Sequence, residues 1–71
     1  MPLVKLEFNE KLDKTHFCVK GWDDFIGQEF YGECYFNHKN DLDISRLVFS
    51  NNLKISKASK IELIRLLKDK Q

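Results

Sequence analysis

The sequence predicts an α+β fold: a small antiparallel sheet of three to five strands with one C-terminal helix packed on one face. Three observations predict it. Apolar and polar residues alternate through four stretches of the first 50 residues, clusters of Gly, Asn and Asp separate those stretches, and the last sixteen residues switch to helical spacing. At 71 residues the chain makes one domain, 1–71, of a size that buries only about 60% of its unfolded surface. Sheet and helix therefore depend on each other for a core.

Leu3 to Phe8 alternates Val4, Leu6 and Phe8 against Lys5 and Glu7, which predicts a first half-buried strand. Asn9 to Lys14 is polar and is expected to turn. Thr15 to Lys20 alternates again, with Phe17 and Val19 on one side and His16, Cys18 and Lys20 on the other, which completes a hairpin. Residues 21 to 27 break the pattern between two glycines, so a loop, bulge or helical turn is expected there. Gln28 to Phe36 is the most strand-like run: Phe30, Cys34 and Phe36 share a face with Gly32, and Tyr31, Glu33 and Tyr35 share the other with Glu29. It is placed centrally, with Gly32 admitting the close approach of another element, most simply the helix.

Asn37 to Asp41 is dense in residues that bond their own backbone and predicts the next turn. Ile44 to Ser50 follows as a strand with Leu47 and Phe49 inward and Arg46 and Val48 outward. Leu53 to Ile55 forms either a short last strand or the connection to the helix.

The helix is expected over Ser56 to Gln71. Ser59 and Glu62 are spaced as a capping box, in which the hydroxyl accepts from the third amide and the carboxylate reaches back. On a wheel counted from Ile61, Leu66, Leu63, Leu67 and Ile64 fall within an arc of about 160°, opposite Glu62, Arg65, Lys68 and Asp69. Burying four such side chains contributes about 6 to 12 kcal/mol before opposing terms. The apolar stripe thus demands a sheet to cover.

With 42% hydrophobic and 32% charged residues, the chain has the composition of an ordinary soluble globular protein. No run approaches the length of a membrane span and the N-terminus lacks the pattern of a signal peptide, so the expected compartment is the cytoplasm, with no membrane partner. The formal charge is +1, unevenly spread. Residues 21 to 43 sum to −5 and residues 44 to 71 to +5, a polarity that bears on association more than on fold.

Cys18 and Cys34 are too few for a disulfide framework and are expected as reduced, buried thiols, although a bridge between neighbouring strands is conceivable. With His16 and His38 they supply the donor types of a tetrahedral zinc site. Neither half has the short C-x₂₋₄-C knuckle, so core thiols and surface histidines are the expectation, with no metal or cofactor. A Cys–His nucleophile pair lacks any marked orienting group or oxyanion donor, and no enzymatic activity is expected.

Two surfaces remain as candidates for recognition. Trp22 beside Asp23 and Asp24 in a glycine-flanked segment can anchor a partner protein, or fold back over the core edge. Tyr31, Glu33 and Tyr35 lie on the outer face of the central strand, where aromatic rings either stack on bases or pack across strands. The strands-then-helix order resembles that of single-stranded-DNA-binding transcription coactivators, in element order alone and without shared motifs. Glu29 and Glu33 repel phosphate, so Lys5 and Lys20 from neighbouring strands would have to offset them. The basic residues of the tail are accounted for by helix pairs and the helix dipole.

The leading expectation is a small non-enzymatic regulatory or inhibitor-type protein, of the kind phages and mobile elements also encode. It would bind another protein through Trp22, Asp23, Asp24, Tyr31, Glu33 and Tyr35. The alternative is single-stranded nucleic-acid binding on the sheet face, and open edge strands also permit a homodimer.

Overall fold

The computed structural model describes residues 4–70; Leu3 and Gln71, at the ends of the expected first strand and helix, lie outside them. The elements are β1 (Val4–Lys11), β2 (His16–Asp23), β3 (Gln28–Phe36), β4 (Leu42–Asp43), β5 (Leu47–Phe49) and α1 (Lys57–Lys68). All strand pairs are antiparallel, in the order β1-β2-β3-β4, with β5 also paired to β3. This is the α+β arrangement of sheet and C-terminal helix, with β3 at its centre.

β1 and β2 both run further than their sequence patterns. Asn9, Glu10 and Lys11 were expected in the turn but pair with Val19, Cys18 and Phe17, and the chain reverses over residues 12–15. Their side chains are polar, but the alternating apolar residues of β2 set the pairing, and a strand at the sheet edge leaves polar groups in water. β2 likewise continues through Gly21, Trp22 and Asp23, leaving only residues 24–27 to turn. Gly21 is a packing residue here: a Cβ would lie 2.5 Å from the Lys5 carbonyl and 2.7 Å from the Phe30 ring.

The strand expected over Ile44 to Ser50 is shortened to β5, and a separate two-residue strand, β4, precedes it. β4 pairs with Tyr35 and Phe36, β5 pairs with Phe30 to Gly32, and between them Leu47 N–H donates to Ile44 C=O at 3.0 Å in a bowed turn. Gly32 admits a close neighbour, but that neighbour is this bow and not the helix. A Cβ there would stand 2.6 Å from the Arg46 carbonyl, and its φ of 130° is one that side chains rarely adopt. The Asn37 turn forms as expected, with Asn37 Oδ1 accepting from the amides of Lys39 and Asp41. Leu53 to Ile55 is the connection to α1, held by Gln28 Nε2 donating to Leu53 C=O at 2.9 Å.

α1 begins a turn earlier than the capping-box reading. Ser56, extended at φ −67° and ψ 160°, is the cap, and its Oγ accepts from the Ser59 amide at 3.1 Å. Ser59 is instead fully buried, donating its hydroxyl to Asp23 Oδ1 at 2.9 Å. Leu63 and Leu67 enter the core with Val4, Phe17, Val19, Phe30, Cys34, Phe36, Leu42, Leu47 and Ile55. Ile64 and Leu66 pack at its margin, and Ile61, which the wheel leaves outside the four-residue arc, is exposed. The centre of the buried face is the line of Ser59, Leu63 and Leu67, each one turn from the next, with Ile64 and Leu66 on either side.

Candidate interaction surface

β2 and β3 send Phe17, Val19, Phe30, Cys34 and Phe36 into the core, so by strand alternation the opposite parity faces away from it. The pairing register sorts that outer face into rows. Lys5, Trp22 and Glu29 form one; Phe8, Lys20, Tyr31 and Val48 the next; Glu10, Cys18 and Glu33 a third; His16, Tyr35 and Asp43 the last.

The second row contains a residue that alternation alone places inside. Leu6 pairs with Gly21 but Phe8 pairs with Lys20, because the register slips at Glu7. One extra residue in a strand moves everything beyond it to the other face, so this bulge transfers Phe8 from the core side to the outer side. Phe8 (49% exposed), Tyr31 (50%), Val48 (49%) and Trp22 (37%) are the large apolar side chains of this face. They put exposed ring surface on neighbouring strands, on the face away from the helix.

Its charges are largely paired. Lys20 Nζ, in the middle of the Phe8–Tyr31–Val48 row, stands 4.0 Å from both Glu7 Oε2 and Glu29 Oε2. Arg46 Nη1 lies 3.9 Å from Glu33 Oε2, and His16 Nε2 lies 3.7 Å from the same oxygen. Tyr35 stands edge-on to His16 and hydrogen-bonds Asp43, which holds the tyrosine above its usual pKa. Bonds from Ser45 and then Tyr35 pull Asp43 down to about 2. Glu7, Glu10, Glu29, Glu33 and Asp43 thus outnumber Lys5, Lys20 and Arg46, and the face carries net negative charge.

Of the six residues nominated from sequence, Trp22, Tyr31, Glu33 and Tyr35 share this face. Asp24 is exposed in the adjoining turn, accepting from Trp22 Nε1 at 3.3 Å. Asp23 is a correction. It is fully buried on the opposite face, where its Oδ1 accepts from the Phe25 amide and from Ser59, so it organises the β2–β3 turn and has no surface to offer. Phe8, Lys20 and Val48 were not nominated. The outward parity of Lys20 and Val48 was visible in sequence, but nothing local announced the bulge that brings Phe8 to them.

Cys18 and Cys34 are free thiols on neighbouring strands but opposite faces, Cys18 beside Glu33 and Cys34 beside Phe17, which excludes the bridge. Cys34 is buried as expected, while Cys18 is only half-buried. Among the described residues, no three His, Cys, Asp or Glu side chains are grouped to hold a metal ion, and no helix is long and apolar enough to cross a membrane. No protein-family model, curated protein or solved structure matches the chain.

Proposed function

We propose that this chain is a small non-enzymatic protein-binding module, regulatory or inhibitory in role, whose recognition surface is the sheet face turned away from α1. The observation that carries this reading is the cross-strand row Phe8–Lys20–Tyr31–Val48 with Trp22 beside it. Exposed aromatic anchors surrounded by charged residues are the composition of an interface core and rim. Nucleic acid is the weaker reading for the same rings, because Lys20 and Arg46 face carboxylates at 3.9–4.0 Å and the face is net acidic. The slip at Glu7 also disrupts β1 as a template for pairing with a second copy, so recognition is assigned to the face rather than to that edge.

The test compares the native chain with Tyr31→Ala and Phe8→Ala variants as immobilised bait, each first checked for native circular dichroism. One stoichiometric partner captured by the native chain and lost from both variants supports the reading. Equal capture by all three rejects the surface. A salt-sensitive affinity for a single-stranded oligonucleotide that Tyr31→Ala abolishes replaces it with the nucleic-acid reading.

A further inference from the structure

The break between β4 and β5 creates a second concave feature. β4 follows Tyr35 and Phe36, β5 follows Phe30 to Gly32, and the Ile44–Arg46 bow links them. Beside the bow lies an open cleft of about 640 Å³, within the range of small-molecule sites. Its apolar wall comes from Leu42, Leu47, Ile44 and Phe49, and its far side from the connection before α1 and the first turns of that helix, which contribute Lys54 and Lys60.

We infer that this cleft binds a small amphiphilic carboxylate, the aliphatic chain lying on the Leu42–Leu47–Phe49 wall and the carboxylate on Lys54 and Lys60. The wall supplies area for a chain of several methylenes, each contributing favourably on leaving water. The charges decide the headgroup and its direction. Lys60 Nζ rests 3.5 Å from Asp41 Oδ1, a surface contact of the kind that contributes little, so an incoming carboxylate can replace it. Asp43 lines the cleft as well; its carboxylate is occupied by the Ser45 amide and the Tyr35 hydroxyl and stays ionised. An anionic headgroup is therefore repelled from the Asp43 end and drawn to the lysine end. A cationic amphiphile meets the reverse, two ammonium groups against one free direction of approach.

This cleft meets the Phe8–Lys20–Tyr31–Val48 row at Val48 alone, and its test uses the full chain with octanoate as the probe, followed by proton–nitrogen correlation spectra. The inference expects saturable shifts at Leu42, Leu47, Phe49 and Asn52, with octanol binding about tenfold more weakly. A Lys54→Met, Lys60→Met double variant, which retains the aliphatic stems, loses a similar factor, and Lys54→Arg with Lys60→Arg restores it. Equal affinity for octanol, an affinity unchanged in the methionine variant, or no saturable shift at these residues overturns the inference. Tyr31→Ala leaves octanoate binding intact while removing protein capture, so each reading can fail without the other.

Discussion

Ser59 Oγ donates to Asp23 Oδ1 at 2.9 Å, joining α1 to the end of β2 between two fully buried residues. The same serine donates its amide to the cap hydroxyl of Ser56, and the same carboxylate oxygen accepts the Phe25 amide at 3.0 Å. One carboxylate thus fixes the β2–β3 turn and the seat of the helix together. Asp23 Oδ2 and the neighbouring Gln28 Oε1 have no protein donor, which makes each of the two bonds to Asp23 Oδ1 more costly to lose. Ser59→Ala is expected to destabilise the fold by about 1 to 3 kcal/mol. For a chain of this length that lowers Tm by roughly 4–8 °C per kcal/mol. Thermal and urea unfolding check it, and a double cycle with Asp23→Ala must show strong coupling; additive losses would mean the bond does not carry the effect.

Two substitutions on α1 separate the buried stripe from an apolar residue outside it. Leu63→Ala removes a fully buried side chain and is expected to cost about 2–5 kcal/mol. Ile61→Ala, at an equally apolar position that is 60% exposed, is expected to stay within about 0.5 kcal/mol. Urea midpoints compare the two directly, and comparable losses would place Ile61 against the sheet.

The contrast between what the sequence disclosed and what it hid follows from the range of each interaction. Alternation in β2 and β3 and the helical spacing of Leu63 and Leu67 are short-range patterns that report the core directly, so Phe17, Phe30, Phe36 and Leu63 were legible. Phe8 was not, because a single inserted residue at Glu7 inverts a parity that composition leaves unchanged. Asp23 was misread for a different reason. An acid beside Asp24 in a glycine-flanked segment has the composition of a surface loop, and its burial is decided by a hydroxyl 36 residues away. The outer row had the same difficulty: its four residues sit on four strands whose relative register no local pattern states.

Gly32 is expected to be among the least replaceable positions. Gly32→Ala keeps a φ of 130° that costs about 1 to 3 kcal/mol for a residue with a Cβ, and the Cβ meets the Arg46 carbonyl at 2.6 Å. Backbone cannot rotate aside as a side chain can, so the Ile44–Arg46 bow must shift. The variant should lose more than the strain alone and show its largest amide shift changes at Arg46 and Leu47. An unperturbed bow in a stable variant would show that the close approach is not needed to hold β5.

The two cysteines are expected to differ in chemistry as they differ in position. Burial, reinforced by Cys18 and Asp43, pushes the Cys34 thiol up to about 12, so near neutral pH it is held as the unreactive thiol. Cys18 is half-buried on the outer face and open to reagents. At pH 8 a disulfide reagent should modify one equivalent rapidly, removed by Cys18→Ser, and the second only at the rate of unfolding. The pH dependence has a definite sign. Below the unfolded value of 9.0 both states hold the proton and nothing is lost; between 9.0 and about 12 only the unfolded chain releases it, so stability falls as pH rises through that window. Unfolding midpoints of the native chain should therefore decline more steeply there than those of Cys34→Ala, and parallel profiles would show that the buried thiol does not couple to folding.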